Sequence, residues 1–95
     1  MENVILHVTF TCKPGMAEEL VRALKDSGLQ QAVREEDGCI QYDYTISCEV
    51  PDTVVLLECW RDADALTVHS NQPRMKELNR VAGQFTTNVV IQRFE

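Results

Sequence analysis

The residues best suited to chemistry lie between Glu58 and His69, where a predicted strand leads into a predicted helix. Glu58 and Trp60 are two positions apart, so their side chains point to the same side of a strand. His69 follows on a helix that folds back over the sheet. An imidazole beside a carboxylate can exchange a proton with a phenol or an enol. We therefore predict an acid–base site with His69 as proton acceptor, Glu58 as its orienting partner and Trp60 as the apolar wall.

A structural alternative stays open for these residues. Glu58 and His69 can equally form a hydrogen bond that ties the helix to the strand, with Trp60 as part of the core. Three further side chains are weaker candidates for contacting a substrate. They are Tyr42 and Tyr44, which present hydroxyls on one side of a predicted strand, and His7, on the polar side of the first strand.

The elements that must position these residues follow from the spacing of the apolar side chains. Alternation predicts strands over residues 4–11, 39–47, 53–60 and 87–94. Helical spacing predicts helices over residues 16–36, 63–70 and 73–83. Gly28 interrupts the first helix, which we expect to kink or restart there, and Asp62 is a suitable N-cap for the second.

The order β-α-β-β-α-β predicts an α+β fold of the ferredoxin-like, split βαβ type, with a four-stranded antiparallel sheet and its helices on one face. Apolar residues of the two middle strands, namely Tyr42, Tyr44, Val54 and Leu56, suggest that both faces of the sheet are partly apolar. No predicted element remains to cover the second face. We therefore expect a homodimer in which the sheets pack against each other.

Composition limits the classes of function. The 95 residues form a single domain, 1–95, with 44% apolar and 25% charged residues, as in ordinary globular proteins. A net charge of −6 argues against a nucleic-acid partner. No apolar run is long enough to span a membrane, so a cytoplasmic location is expected.

Motifs for resident cofactors are missing from the sequence. The four cysteines have no metal-ligand spacing and are expected to be reduced thiols; they are Cys12, Cys39, Cys48 and Cys59. There is also no glycine-rich phosphate loop, nucleophile elbow or zinc-protease motif. We predict no metal site and no cofactor, other than one supplied by a partner.

Several short motifs together resemble the antibiotic biosynthesis monooxygenase family. They run through most of the chain: Lys13, Pro14 and Gly15; residues 35–39 leading into Tyr42; Glu58, Cys59 and Trp60; and Ala65 and Leu66 followed by His69 and Pro73. The resemblance implies a ferredoxin-like fold that forms a dimeric α/β barrel. It also implies that Trp60 and His69, with Glu58, lie at the pocket.

Enzymes of this family oxidise phenols or quinols with molecular oxygen and use neither metal nor flavin. The chain is most similar to the small quinol monooxygenases, apart from Asp37, which is inserted before Gly38. The haem-degrading branch is disfavoured, since the first strand lacks its asparagine and residues 73–85 contain no histidine.

Two other functions stay open beside the quinol monooxygenase. One branch of the family isomerises a phosphorylated dione, a proton transfer that His69 and Glu58 would serve equally well. A non-catalytic, stress-related protein that binds a small molecule is the other. The expected partners are thus a small aromatic or dicarbonyl substrate, molecular oxygen and a second copy of the chain.

Overall fold

A computed structural model of the chain describes residues 2–94. Four strands and four helices follow one another as β1 (Val4–Cys12), α1 (Ala17–Asp26), α2 (Leu29–Arg34), β2 (Cys39–Ile46), β3 (Thr53–Trp60), α3 (Ala63–Ser70), α4 (Arg74–Gly83) and β4 (Thr86–Phe94). The strands form one antiparallel sheet in the order β2-β3-β1-β4, and the helices pack on one side of it. This arrangement confirms the predicted ferredoxin-like α+β fold.

The predicted boundaries agree with the structure to within a residue or two at most ends. The interruption expected in the first helical region occurs at Gly28, whose φ of 80° is left-handed and separates α1 from α2. Asp62 caps α3 as predicted, because its Oδ1 accepts a hydrogen bond from the backbone N–H of Ala65 at 2.8 Å. No helix within residues 2–94 has both the length and the apolar character needed to cross a bilayer.

The side of the sheet that packs against the helices, which we call the helix face, carries the core. Its members alternate along each strand and sit opposite one another in the register: Val4, Leu6, Val8 and Phe10 of β1, Tyr42 and Tyr44 of β2, and Val54, Leu56, Glu58 and Trp60 of β3. Leu20 and Leu24 of α1 and Val33 of α2 pack onto them and are almost completely buried. The core thus lies between the sheet and the helices.

The opposite side of the sheet, the open face, differs from what we expected in its composition. The helix face carries all four of the residues that we expected to make both sides apolar: Tyr42, Tyr44, Val54 and Leu56. None of them contributes apolar area to the open face. Its apolar residues are instead Ile5, Val55, Leu57, Val90 and Phe94. The argument for a partly apolar second face was therefore wrong in its residues, although the open face does carry apolar side chains among polar ones such as His7, Thr9 and Gln92.

An irregularity at the start of β2 explains a second difference. Strict alternation along β2 would place Ile40 on the same face as Tyr42. The register instead shifts between Cys39 and Gln41, so that Cys39 lies opposite Trp60. Ile40 is left unpaired and is 56% exposed. An extra residue in one strand reverses the alternation beyond it.

Candidate functional site

His69 is held in the interior by the way α3 packs on the sheet. Leu66 and His69 are three residues apart and so share the buried side of α3. The imidazole is 3% exposed and stacks on the Trp60 indole, with ring centroids 4.4 Å apart and planes inclined by 27°. A ring held in this way has little freedom to reorient.

Two carboxyl groups flank the imidazole. His69 Nδ1 lies 2.9 Å from Oε1 of Glu36, and Nε2 lies 3.9 Å from Oε1 of Glu58. The first distance is a hydrogen bond and the second is about 1 Å too long for one. The ring nitrogens of His69 therefore face two different acids.

Glu36 was not predicted as a site residue. It lies in the turn between α2 and β2, and its side chain is 8% exposed. Arg74, the first residue of α4, donates from Nη1 to Glu36 Oε2 at 2.8 Å and to the carbonyl of Ala32 at 3.1 Å. A carboxylate facing a guanidinium accepts hydrogen bonds, so Nδ1 of His69 carries the proton in this contact.

The sequence offered only an indirect signal of this pair. In the sequence, Glu36 is only the last residue of one predicted helical region, and Arg74 is a charged residue near the start of another. Paired acids just before Asp37 and Gly38 were visible, but nothing in the spacing connects them to a residue 38 positions away. Only the packing of α3 and α4 brings them together.

Trp60 has a different place from the predicted one. The indole is completely buried, and its Nε1 donates to Glu58 Oε1 at 3.0 Å. It does not line the interior cavity described below. The prediction that Trp60 forms a pocket wall therefore needs correction, because the indole instead supports both His69 and the Glu58 carboxyl.

A cavity of about 350 Å³, which we call the interior cavity, lies between the helix face and helix α4 and opens to solvent beside the exposed side chains of Val89 and Ile91. Most of its lining is apolar, and includes Val8, Phe10, Leu24, Leu56, Met75, Leu78, Ala82, Val89 and Ile91. The polar side chains of its lining include those of Glu58, Tyr42 and Tyr44 on the sheet, Asn79 of α4 and Thr86 at the start of β4. The volume is within the range of small-molecule sites, and the few polar groups in an apolar lining are typical of them.

The cavity changes how the predicted pair is arranged. Glu58 lines the cavity, whereas His69 does not and lies behind the Glu58 carboxyl. A molecule in the cavity would therefore contact Glu58 first. We expected His69 as the proton acceptor with Glu58 as its orienting partner; of the two, Glu58 is the one that borders this cavity, and their roles stay predictions.

The surroundings of Glu58 raise the pKa of its carboxyl group. Burial raises the pKa of Glu58, and the Glu36 carboxylate adds to this, although the hydrogen bond from Trp60 and the charge of His69 act in the opposite direction. A carboxyl group with a raised pKa is better matched to proton exchange near neutral pH than an ordinary glutamate.

The tyrosines are held in their protonated form. Tyr42 and Tyr44 meet edge to face, with ring centroids 5.8 Å apart. Burial raises the pKa of both, that of Tyr44 to about 12, and their mutual hydrogen bond raises it further for Tyr42. The Tyr42 hydroxyl donates to that of Tyr44, so the Tyr44 hydroxyl remains available as a neutral donor beside the cavity.

His7 does not join the other predicted site residues. It lies on the open face, where its ring is 4.9 Å from that of Phe94. The sheet separates it from the cavity. The structure thus brings together Glu58, Trp60, His69, Tyr42 and Tyr44, and leaves out His7; the catalytic and binding roles of all six stay predictions.

Solved structures with the same fold cover nearly the whole chain. A Pseudomonas aeruginosa protein is 32% identical, with a TM-score of 0.82, over 99% of this chain and 93% of its own. A Mycobacterium tuberculosis protein is 27% identical, with a TM-score of 0.81, over 99% and 94%. A Deinococcus radiodurans protein, described as a candidate antibiotic biosynthesis monooxygenase, is 26% identical, with a TM-score of 0.84, over 97% and 90%.

Sequence comparison agrees with the structural one. No curated protein matches the chain significantly. Residues 3–81 match the sequence pattern of the family described as antibiotic biosynthesis monooxygenase, which accounts for most of the chain. The match confirms the resemblance drawn from the motifs around Gly15, Gly38, Glu58 and His69. The chain belongs to the antibiotic biosynthesis monooxygenase family.

Proposed function

We propose that the protein is a cofactor-independent monooxygenase that oxidises a quinol or another phenolic small molecule with molecular oxygen. The observation that carries this proposal is an apolar cavity of about 350 Å³ with one carboxyl group, that of Glu58, among its lining side chains. Burial raises the pKa of that carboxyl. A phenol bound there meets a base in surroundings that contain little water.

The chemistry begins with transfer of the phenolic proton. The O–H bond of the substrate breaks, its electron pair stays on oxygen, and the proton passes to the Glu58 carboxylate. Tyr42 and Tyr44 line the same cavity, and the Tyr44 hydroxyl, which accepts a hydrogen bond from Tyr42, can donate one to the phenolate oxygen. The anion, once formed, is electron-rich enough to react with molecular oxygen.

The overall reaction balances without another reductant. A quinol and one molecule of oxygen give a hydroxyquinone and one molecule of water. One oxygen atom enters the ring as a hydroxyl group in place of a ring hydrogen, the other leaves as water after the O–O bond breaks, and the electrons come from the quinol. The protein binds and orients the substrate, excludes water and exchanges protons.

His69 supports this chemistry from behind Glu58 in our proposal. Its Nε2 faces Glu58 Oε1 at 3.9 Å, so a modest movement of the carboxyl group would allow a hydrogen bond between them. The imidazole then shares the proton that Glu58 receives. Trp60 limits such movement to a small range, because it donates to Glu58 and stacks on His69.

We also propose that the protein is a homodimer joined through the open face. Three apolar residues of this face are at least 40% exposed in the single chain, namely Ile5, Val90 and Phe94. Val55 and Leu57 lie on β3, on the other side of β1 from Val90 and Phe94, and are half-buried. A contiguous apolar surface on a small domain is typical of an interface.

An isomerase of a small dicarbonyl compound is the second candidate, since a carboxyl group with a raised pKa also suits proton transfer between carbon atoms. It would use the same cavity and consume no oxygen. A protein that only binds its ligand would show neither activity. Oxygen consumption therefore separates the first candidate from the other two.

The test is oxygen uptake by chelator-treated protein with a panel of hydroquinones. We expect uptake in the wild type and a loss of roughly 10²–10⁴-fold in Glu58→Gln, which keeps the shape of the side chain but removes the base. Glu35→Gln is the matched control, because Glu35 is exposed and contacts only Gln31 among its described hydrogen-bond partners.

Absence of uptake with every quinol would contradict the monooxygenase. Ligand binding would then be followed through the fluorescence of Trp60, the single tryptophan, which is hydrogen-bonded to Glu58. Isomerisation of dicarbonyl compounds would be assayed next. Binding without either reaction would favour the non-catalytic protein.

A further inference from the structure

A second cavity lies on the other side of the buried charges. It is an open groove of about 380 Å³, and the side chains that line it include Glu36, Arg61, Ala65, Val68 and Arg74. The linings of the groove and of the interior cavity have no residue in common. Glu36 borders the groove and Glu58 borders the cavity, and His69 lies between the two.

We propose that Glu58, His69 and Glu36 form a proton path that connects the interior cavity with solvent in the groove. His69 Nδ1 is hydrogen-bonded to Glu36 Oε1 at 2.9 Å, and His69 Nε2 faces Glu58 Oε1 at 3.9 Å, a gap that a modest movement of the Glu58 carboxyl group would close. The side chains of the three residues are between 4% and 8% exposed. This inference rests on the proposed function for its purpose, since it gives the proton removed from the substrate somewhere to go.

The groups around the imidazole favour proton movement along this line. Trp60 stacks on one side of the ring and Tyr42 packs at 6.0 Å, so the ring is held with its two nitrogens toward the two acids. Arg74 is the cation that faces Glu36. Burial, and then the charges of Glu36 and Glu58, raise the pKa of the nearby Cys39 thiol to about 11. A fixed ring between two acceptors passes protons through its nitrogens without turning.

Each transfer is balanced. Glu58 takes the substrate proton and passes it to Nε2 of His69, where a new N–H bond forms. The Nδ1–H bond breaks at the same stage, and its proton goes to Glu36, which releases it to water in the groove. The imidazole ends neutral, with its proton moved from Nδ1 to Nε2, and Glu58 is again a carboxylate.

The later part of the reaction resets the path. Once the quinol anion has reacted with oxygen, cleavage of the O–O bond releases hydroxide, which needs one proton to become water. A proton entering from the groove restores the Nδ1–H form of His69 and reaches hydroxide through Glu58. One proton leaves and one returns, which agrees with a net reaction that neither releases nor consumes protons.

A proton path through His69 is useful because a bound substrate blocks the direct route from Glu58 to water through the cavity. A molecule that fills the cavity covers the Glu58 carboxyl on that side, so water cannot reach it there. Glu36 lies on a surface that the substrate does not touch. The proton can therefore leave while the cavity stays occupied and closed to water.

Solvent exchange of the His69 ring proton tests the path without substrate or oxygen. In ¹⁵N-labelled protein, nuclear magnetic resonance follows exchange of the ring N–H and reports which nitrogen carries it. His7 and His69 are the two histidines, so assignment is simple. We expect Glu36→Gln to slow the exchange by about tenfold or more, because an amide can accept the Nδ1–H bond but cannot take up its proton.

Two variants separate proton transfer from a structural role of Glu36. Glu36→Asp keeps a carboxylate, and we expect it to restore exchange to within a few-fold of the wild type. Glu49→Gln, a change at an exposed loop residue outside both linings, should leave exchange unchanged. Exchange in Glu36→Gln that is as fast as in the wild type would overturn the proposal, since local opening would then be the route. Exchange in Glu36→Asp that is as slow as in Glu36→Gln would also overturn it. Because no turnover is involved, this result is independent of whether any quinol is oxidised.

Discussion

The two sides of the sheet differ in whether their side chains find contacts within the same chain. On the side of the helix face, Glu36, Glu58 and His69 are buried with His69 between the two acids, and the partly exposed Arg74 pairs with Glu36, all within a single chain. On the open face, apolar side chains such as Phe94 remain exposed. The polar side chains find their partners within one copy of the chain, whereas the apolar side chains of the open face would be buried only by contact with another molecule.

This difference suggests that chemistry and assembly are separate properties of the fold. A buried charge network is expensive to break, because each carboxyl depends on a partner that the chain itself provides. An exposed apolar surface costs the single chain little, and gains free energy only on association. Substitutions on the two faces should therefore have opposite consequences.

The largest effect is expected on the open face. Val55→Lys places a charge at its centre, and we expect the dimer to dissociate, with affinity reduced by about a thousandfold or more. The fold should remain, because Val55 points away from the core. Sedimentation velocity measures the assembly and circular dichroism the fold. Thr67→Lys, on the exposed side of α3, is the control and should stay dimeric; a Val55→Lys protein that also stays dimeric would contradict the proposed interface.

For His69→Ala, on the side of the helix face, we expect a loss of stability with no change in assembly. Removing the imidazole leaves Glu36 and Glu58 without their shared partner, so the free energy of unfolding should fall by roughly 3–5 kcal/mol. Assembly should be unchanged, since His69 is on the other side of the sheet from the open face. Urea unfolding at a fixed protein concentration measures the loss. A decrease below about 1 kcal/mol would mean that the two carboxyl groups do not depend on the histidine.

A smaller effect is expected where β2 meets the helix that carries His69. Gly38 has a φ of +85°, and an added Cβ would lie 2.5 Å from Cβ of Ala65 in α3. We expect Gly38→Ala to lower the free energy of unfolding by about 3 kcal/mol, through backbone strain and displacement of α3. Gly28→Ala is the matched control, with a φ of +80° and open space around it; its cost should be about 1 kcal/mol. Equal losses in the two variants would show that contact with α3 is unimportant.

Most of the fold was predictable because it depends on local patterns. Alternation and helical spacing predicted the strands and helices, and Gly28 marked the helix break. The faces were harder to assign. Tyr42 and Leu56 appeared to supply apolar area for both sides of the sheet, but the register places both on the helix face. Register between strands is a property of pairing and of the bulge near Ile40, and neither is visible in one strand alone.

The site was only partly predictable for a related reason. Glu58, Trp60 and His69 are close in sequence, so strand and helix geometry predicted that they would meet. Glu36 is 33 residues from His69 and lies in a turn, where no periodicity gives its direction. Which member of the Glu58 and His69 pair borders the cavity depends on how α4 packs. That packing is tertiary, and the sequence pattern does not contain it.

The smallest effect concerns the titration of Glu58. Burial raises the pKa of Glu58 in the folded protein above its ordinary value of 4.5. Above pH 4.5 the unfolded chain therefore loses this proton while the folded protein still holds it. The folded state then binds more protons than the unfolded state, so stability falls as the pH rises through the folded pKa. We expect Glu58→Gln to gain stability relative to the wild type over this window, with a slope of at most about 1.4 kcal/mol per pH unit.

Urea unfolding of both proteins across this pH range measures the difference, and Glu49→Gln, a change at an exposed loop residue, should give a flat line. A difference of the opposite sign would mean that the folded protein prefers the ionised carboxylate, as in a strong ion pair with His69. Glu58 would then be a poor base toward a phenol at neutral pH, and the helix face would hold a structural charge cluster instead of a site. The sign of this slope thus decides whether the buried charges serve the cavity or only the fold.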